Sequence, residues 1–384
     1  ILVTTVKKLF NGRTKFGLNN NYVDVNSIVL DDSHACIDII RESFTIKIQS
    51  DHELYTKLRG LFENDIREQG EGSYLEIKEG GYPTMLPIPY WSWSDRKDDV
   101  LEILAEFKSE QQLSFIWPLL KDNIENCQAF ITGQEIEIYP YYIPLHFFKS
   151  FTNAKHRILM SATTQDDSFF IKGLGFNINA VNAPLKNIDE KWSGEKMILI
   201  PSLMHDKLTR IDIINKMAKT TVRNFGIAAL VPSFRVAEHY ITHGSRKITS
   251  ENISEIIGEL KTGVFGTPVI IANRYDGIDL PDETCRILIF DSLPYFSSLV
   301  DKYEESCRIH SDVINIKYAQ KIEQGLGRSV RGEKDYSAIV LIGPDLVNFV
   351  KNSRTNRFFS SQTRKQIDIG LDIVELAEED LANG

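Results

Sequence analysis

Two arginines near the end of the sequence are spaced so that both could bind one anion. They are Arg328 and Arg331, in residues 321–332, a stretch that ends a helical pattern. Residues three apart on a helix lie on the same face, so the two guanidinium groups could contact one phosphate together. Arginine pairs are also common on solvated helix faces, so this stretch by itself favours a surface role.

Two adjacent carboxylates in the first part of the chain are of the kind that holds magnesium. Asp31 and Asp32 follow the apolar run 27–30, which predicts a buried parallel strand. Carboxylates at the carboxyl end of such a strand can hold Mg²⁺ and position a water molecule. Two further signals lie between these carboxylates and the arginines, namely residues 161–163 (Ser-Ala-Thr) and 277–279 (Gly-Ile-Asp). Four short signals in this order are hard to obtain by chance.

The order of these signals resembles the superfamily-two DEAD/DEAH-box helicases, most closely the DinG-like branch related to the Rad3-type enzymes. That family has, in turn, a DEAH-type metal and water motif, a Ser-Ala-Thr motif, a Gly-x-Asp motif and a Gln-x-x-Gly-Arg-x-x-Arg motif. Here they correspond to residues 31–34, 161–163, 277–279 and 324–331. The resemblance implies an α/β fold of two RecA-like parallel-sheet domains, the P-loop NTPase helicase core, with ATP bound in the cleft between them.

The resemblance also implies that one group of residues binds and hydrolyses ATP with Mg²⁺. Asp31 would hold the metal through water, Asp32 would orient the attacking water, and His34 would link the nucleotide site to the second domain. Arg328 and Arg331 would act as arginine fingers on the γ-phosphate. The other candidates are Gly277, which allows close backbone approach, Gln324, a nucleotide sensor, and Asp279, which would accept a hydrogen bond from the ribose or from an arginine.

A second group would couple hydrolysis to movement on nucleic acid. Ser161 and Thr163 would couple the two domains. The residues that would contact nucleic-acid phosphates are Thr4, Thr5, Ser233 and Arg235. For these four an ordinary strand end or helix cap is about as good an interpretation.

The sequence departs from the family pattern in two respects. Asp32 stands where the family usually has Glu, and its side chain is one methylene shorter, so either the water shifts or hydrolysis is slower. No Gly-x-x-x-x-Gly-Lys-Ser/Thr phosphate-binding motif occurs in the sequence. In the family that motif precedes the nucleic-acid-binding motif to which Thr4 and Thr5 correspond. We therefore expect a carboxyl-terminal fragment of a longer ATP-dependent helicase, inactive by itself.

The resemblance implies two α/β domains, the first truncated and interrupted by an insertion. In the second domain, apolar strands alternate with helical patterns, which predicts a parallel sheet. The predicted boundaries are 1–40 and 146–180 for the rest of the first RecA-like domain, 41–145 for a mostly helical, arch-like insertion, 181–195 for a linker and 196–384 for the second RecA-like domain. The aromatic residues of the insertion could stack bases, although packing is the better interpretation. They are Tyr90, Trp91, Trp93, Tyr139, Tyr141 and Tyr142.

Composition sets further limits on function. A chain of 384 residues that is 42% hydrophobic can form two cores, and a net charge of −9 requires any nucleic acid to bind at a local groove. Four widely spaced cysteines show no pattern typical of zinc, an iron–sulfur cluster or disulfides, which indicates reduced thiols in a cytoplasmic protein. No apolar run approaches the length of a membrane span.

These observations together predict an ATP-dependent DNA helicase or translocase that moves on single-stranded DNA. The choice of DNA rests on the branch of the family that the chain resembles. An RNA helicase and a double-strand translocase are alternatives within the same class. A degenerate, non-hydrolysing nucleic-acid-binding module is an alternative from another class.

Overall fold

The computed structural model describes residues 1–18, 22–81, 83–110, 113–161, 168–185, 194–273, 278–309, 311–332 and 334–383. The chain divides into two units. Unit 1 consists of Ile1–Pro184 and Ser298–Cys307, and unit 2 of Leu185–Ser297 and Arg308–Gly384.

The described residues form twelve strands, twenty α-helices and four short 3₁₀ turns. The strands are β1 Ser27–Leu30, β2 Ile46–Gln49, β3 Met85–Pro87, β4 Cys127–Thr132, β5 Glu135–Pro140, β6 His156–Leu159, β7 Glu195–Leu199, β8 Ile227–Val231, β9 Arg246–Lys247, β10 Val269–Ala272, β11 Ile287–Asp291 and β12 Tyr336–Ile342. The α-helices are α1 Val6–Leu9, α2 Ser33–Ser43, α3 Glu53–Leu61, α4 Glu63–Gln69, α5 Glu71–Lys78, α6 Tyr90–Asp95, α7 Lys97–Glu106, α8 Leu113–Leu120, α9 Lys149–Thr152, α10 Ser168–Lys172, α11 Ile178–Asn182, α12 Pro201–Met204, α13 Arg210–Met217, α14 Phe234–Ile241, α15 Ile253–Lys261, α16 Leu299–Cys307, α17 Asp312–Leu326, α18 Pro344–Lys351, α19 Ser353–Asn356 and α20 Ser361–Asn383. Short 3₁₀ turns lie at Ile124–Asn126, Leu145–Phe147, Asp282–Thr284 and Gly327–Ser329. Within these described ranges, no helix combines the length and apolar character needed to cross a membrane.

A six-stranded parallel sheet forms the centre of unit 2, in the order β7-β12-β11-β8-β10-β9. Such a sheet is covered on both faces, so its strands need continuous apolar runs, and every residue of β8 is buried. Successive residues of β11 enter different hydrophobic clusters, with Leu288 and Phe290 in one and Ile289 in the other. The predicted α/β fold with a parallel sheet is confirmed.

A parallel pair of strands positions the first group of candidate residues in unit 1. Strands β1 and β6 pair in register, with Leu30 opposite Leu159. Their carboxyl ends therefore lie at one edge, where the chain continues into Asp31 and Ser161. The strand-end interpretation of Thr4 and Thr5 is wrong, because residues 1–5 are exposed and form no strand, and α1 begins directly after them.

The insertion contains an antiparallel sheet that the sequence analysis did not predict. Helices α3 to α8 contain more of the segment's residues than its strands do, so helix predominates as predicted, but β2, β5, β4 and β3 pair beside them in that order. Strands β2 and β5 read Ile-Lys-Ile-Gln and Glu-Ile-Glu-Ile-Tyr-Pro, and their isoleucines are buried. This alternation with a period of two is the signal that a search for helical spacing misses.

Helix α16 belongs to unit 1, although the sequence analysis places residues 196–384 together. Its first backbone N–H, from Leu299, donates to the fully buried Glu137 carboxylate at 2.6 Å. Lys47 Nζ lies 3.0 Å from the other oxygen of Glu137 and compensates the buried charge. Burial raises the pKa of Glu137, and Lys47 opposes that rise only in part. A ring contact between Phe130 and Tyr303, with centroids 5.0 Å apart, adds apolar packing to this contact.

Candidate functional site

The two predicted catalytic carboxylates of unit 1 lie on a strained turn. Asp31 and Asp32 are exposed immediately after β1, and Asp32 adopts a left-handed backbone with φ 47° and ψ 57°. A residue other than glycine in this region costs of order 1 kcal/mol or more, so the surrounding structure must hold it. The Ser33 N–H supplies one such constraint by donating to the Met160 carbonyl at 2.8 Å. The turn fixes the direction in which the Asp32 carboxylate leaves the strand.

His34 and Ser161 are brought together from two separate motifs. The His34 Nδ1 and Ser161 Oγ atoms lie 2.6 Å apart, and the imidazole packs edge-on against Phe170 with ring centroids 5.2 Å apart. His34 is buried, so its ring orientation is set by these contacts. Thr163, the other predicted coupling residue, lies outside the described residues. The structure thus provides a direct connection between the carboxylate turn and the end of β6.

The carboxylate turn suits a magnesium ion that keeps most of its water. Mg²⁺ is commonly held by one or two carboxylates together with phosphate oxygens and waters. Asp31 is exposed and accepts its neighbour's N–H at 3.0 Å through Oδ1, an arrangement that orients the carboxylate. Across the part of the chain that the structure describes, no cluster of three or more His, Cys, Asp or Glu side chains could form a closed metal site. Asp31 is an exposed carboxylate of the kind that can hold Mg²⁺ together with phosphate oxygens and waters.

The two arginines of unit 2 meet at one carboxylate oxygen. Asp279 Oδ1 accepts from Arg328 Nη1 at 3.2 Å and also from Arg331 Nη2. The argument that both arginines share a helix face is wrong, because α17 ends at Leu326 and a 3₁₀ turn follows it. Val330 is extended, so Arg331 lies beyond any helical residue. A shared counter-charge, rather than helical spacing, brings the two guanidinium groups together.

The two arginines differ in their exposure to solvent. Arg328 is 6% exposed, and its Nε donates to the carbonyl of Gln324 at 3.1 Å. The Arg331 side chain is 48% exposed. Asp279 was expected to accept a hydrogen bond either from the ribose or from an arginine, and the structure shows the arginine contact. Gly277 lies outside the described residues.

Residues 328–332, here called the arginine turn, are tied to the loop that carries Asp279. The Leu280 N–H donates to the Arg328 carbonyl at 2.9 Å. The buried Asp335 carboxylate accepts from the Arg331 N–H at 3.0 Å and from the Arg286 guanidinium at 2.8 Å. A cavity of about 430 Å³ opens here, lined by Pro281, Asp282, Arg331, Gly332, Lys334 and Asp335. The sequence analysis missed Asp335, which lies four residues after the second arginine, directly before β12.

The predicted nucleic-acid contacts are exposed to different degrees. Ser233 caps α14, because its Oγ accepts from the Val236 N–H at 3.3 Å. Of the two interpretations of Ser233, the structure shows the helix cap. Arg235 is exposed, as are Thr4 and Thr5. Their roles toward nucleic acid stay predictions.

The aromatic residues of the insertion divide into a packed group and an exposed group. Trp93 is buried, stacks on Phe62 with ring centroids 5.8 Å apart, and donates its indole N–H to the Ile124 carbonyl at 2.7 Å. Tyr90 and Trp91 are exposed and contact each other with centroids 5.1 Å apart. Packing therefore accounts for Trp93 but not for Tyr90 and Trp91.

A known protein family matches part of this chain. Residues 217–365 match the family described as the helicase C-terminal domain, a span that contains Asp279, both arginines and Asp335. Among curated proteins, no sequence matches the chain significantly.

Three solved structures have a similar fold. An XPD helicase is 14% identical, with coverage of 94% of this chain and 71% of that chain and a TM-score of 0.52. Xpd4 of S. tokodaii is 16% identical, with coverages of 90% and 77% and a TM-score of 0.50. An apo form of XPD is 12% identical, with coverages of 92% and 79% and a TM-score of 0.51. At these identities the likeness confirms the fold, and the helicase domain match confirms the resemblance to Rad3-type helicases.

The difference in burial predicts that the two arginines contribute unequally to stability. Arg328→Ala removes a buried, hydrogen-bonded cation and should cost about 2–3 kcal/mol of unfolding free energy. Arg331→Ala removes an exposed ion pair and should cost less than about 1 kcal/mol. Urea denaturation followed by circular dichroism measures both changes. Equal losses would contradict the assignment of Arg328 as the anchored member of the pair.

Proposed function

We propose that this chain, which carries a helicase C-terminal domain and has the fold of the XPD helicases, is the core of an ATP-dependent helicase or translocase acting on single-stranded DNA. The observation that carries the proposal is the convergence of Arg328 and Arg331 on Asp279. A group that stabilises charge on a transferring phosphoryl group acts best when the protein already holds it in place. Asp279 provides such a hold.

In the proposed reaction the carboxylates of unit 1 prepare the attack on the γ-phosphate. Asp31 would hold Mg²⁺ through water, and the metal would neutralise charge on the β- and γ-phosphate oxygens. Asp32 would orient the attacking water, which the fixed left-handed turn at this residue supports. Through the contact between His34 and Ser161, a change in the conformation of this turn would move the end of β6.

Arg331 is the better candidate for a finger that changes partners. Its ion pair with Asp279 is about half exposed on both sides, and such pairs contribute only about 0–1 kcal/mol. Arg331 can therefore exchange the Asp279 carboxylate for a phosphate at a small cost in free energy. Arg328 is buried and would stay with Asp279, which keeps the loop in place while Arg331 moves.

Replacing Arg331 by Lys in the complete gene product tests this assignment. Lysine keeps the charge but loses the planar fork, so kcat for ATP should fall by on the order of 10³-fold while single-stranded DNA affinity stays nearly level. The matched control is Arg357→Lys, an exposed arginine of unit 2 that pairs with the exposed Asp312 at 2.8 Å. This control should leave turnover unchanged. Loss of DNA binding with turnover intact at saturating DNA would instead assign Arg331 to a nucleic-acid groove.

The nature of the nucleic acid is a separate prediction. We expect the ATPase activity of the complete gene product to be stimulated more by single-stranded DNA than by RNA of the same sequence. Exposed Arg235 and the exposed pair Tyr90 and Trp91 are available for phosphate contact and base stacking. Equal or greater stimulation by RNA, measured at matched salt, would favour an RNA helicase.

A non-hydrolysing binding module is the second candidate, supported by Asp32 in place of the usual glutamate. The same ATPase measurement separates the two functions. Nucleic-acid binding without any ATP turnover by the complete gene product would favour the binding module.

A further inference from the structure

Asp335 is a buried carboxylate whose hydrogen bonds join the arginine turn to the loop before β11. It is 4% exposed. Its oxygens accept from the backbone N–H groups of Arg331 at 3.0 Å and of Asp282 at 3.2 and 3.3 Å. They also accept from the Tyr336 N–H at 2.8 Å and from Arg286 Nη1 at 2.8 Å. One carboxylate thus holds backbone groups from both loops.

Arg286 compensates the negative charge of the buried Asp335 carboxylate. Its guanidinium lies over the Tyr336 ring, 4.0 Å from the centroid, and pairs with Asp335 and Glu283. Partial burial lowers the pKa of Arg286, but its hydrogen bonds to Glu283 and Asp335 outweigh that effect and raise the pKa above its ordinary value. A conformation that separated Asp335 from Arg286 would leave a buried charge without its partner, which is costly. The pair therefore favours the one arrangement of the two loops in which it forms.

The other side of the arginine turn is confined by Gly194, at the start of β7. Gly194 has φ +68°, and a Cβ added there would overlap the side chain of Val330. It would also lie 2.5 Å from the Asp335 carbonyl oxygen and 2.6 Å from that of Gly332. The Glu195 N–H donates to the same Asp335 carbonyl at 2.8 Å. The turn is therefore held between Gly194 and the Asp335 carboxylate.

The position of these residues in the sheet explains why they can act together. Gly194, Asp335 and Asp282 precede β7, β12 and β11, which are adjacent strands. Their loops consequently meet at the amino end of the parallel sheet. The sheet supplies a rigid base for the turn that carries Arg331.

We propose that Asp335 is the positioning residue for Arg331, because its buried carboxylate holds the arginine turn in the conformation that presents the guanidinium to the transferring phosphate. This inference rests on the proposed function, in which Arg331 acts on ATP. Asp335 itself touches no reacting atom in this account. Its effect on turnover must therefore pass through Arg331.

Asp335→Asn in the complete gene product tests the proposal at nearly constant side-chain shape. The amide replaces one acceptor oxygen by an NH₂ donor, which opposes the donors that surround Asp335. A small displacement of a catalytic group can cost about 10²-fold, so kcat should fall by about that factor, with little change in KM for ATP or in affinity for single-stranded DNA. The matched control is Glu283→Gln, which removes a second carboxylate partner of Arg286, at 2.9 Å, but leaves the contact between Asp335 and Arg331 intact. It should leave kcat unchanged.

A double-mutant cycle separates positioning from a general structural role. In an Arg331→Ala background, Asp335→Asn should lower kcat no further, because the group it positions is already gone. A further loss of the same size would show a merely structural role and overturn the proposal. If Arg331→Ala leaves kcat intact, the proposed function fails. If Arg331→Ala lowers kcat and Asp335→Asn does not, only the positioning role fails.

Gly194→Ala provides a second variant in case Asp335→Asn does not fold. It leaves Asp335 intact but pushes on the arginine turn from the opposite side, so kcat should again fall without loss of DNA affinity. Circular dichroism establishes that each variant is folded. Unchanged kcat in folded Gly194→Ala would overturn the proposal that the conformation of this turn sets the position of Arg331.

Discussion

A single carboxylate oxygen, Asp279 Oδ1, holds two guanidinium groups, and the arrangement of the candidate site in unit 2 depends on that contact. Two positive charges about 4 Å apart repel by about 4 kcal/mol at the effective dielectric typical of a protein surface. The shared Asp279 carboxylate compensates this repulsion. The unequal burial of the two arginines then gives them different properties, because the buried one anchors the loop and the exposed one can exchange partners.

The two units use opposite ends of their parallel strands to present charged groups. In unit 1, Asp31 and Ser161 follow the carboxyl ends of β1 and β6, where ligands of α/β proteins usually bind. In unit 2, Asp282 and Asp335 precede β11 and β12, at the amino ends of neighbouring strands. A search for sites at carboxyl ends alone therefore finds the first group and not the second.

The sequence was informative about strands and motif order and less so about the shape of turns. Continuous apolar runs predicted the parallel sheet of unit 2 because both faces of such a sheet are buried. The contact between His34 and Ser161 joins two motifs that the sequence singled out. The sequence indicated that a helix ends within residues 321–332, where Gly325 and Gly327 favour such an end. The extended conformation of Val330 was not predicted, so both arginines were placed on one helix face. Asp335 was not predicted, because a single acidic residue in a charged loop is usually exposed to solvent, and the sequence does not show that this one is buried.

The central claim is that Arg331 exchanges Asp279 for the transferring phosphate while Arg328 does not. A structure of the complete gene product with Mg²⁺, ADP and aluminium fluoride, a mimic of the phosphoryl group in transfer, tests it most directly. The account predicts that the Arg331 guanidinium contacts the fluoride, that Arg328 remains with Asp279, and that Asp335 still accepts from the Arg331 N–H. A complex in which Arg331 remains on Asp279, or contacts nucleic-acid phosphate instead, would contradict it.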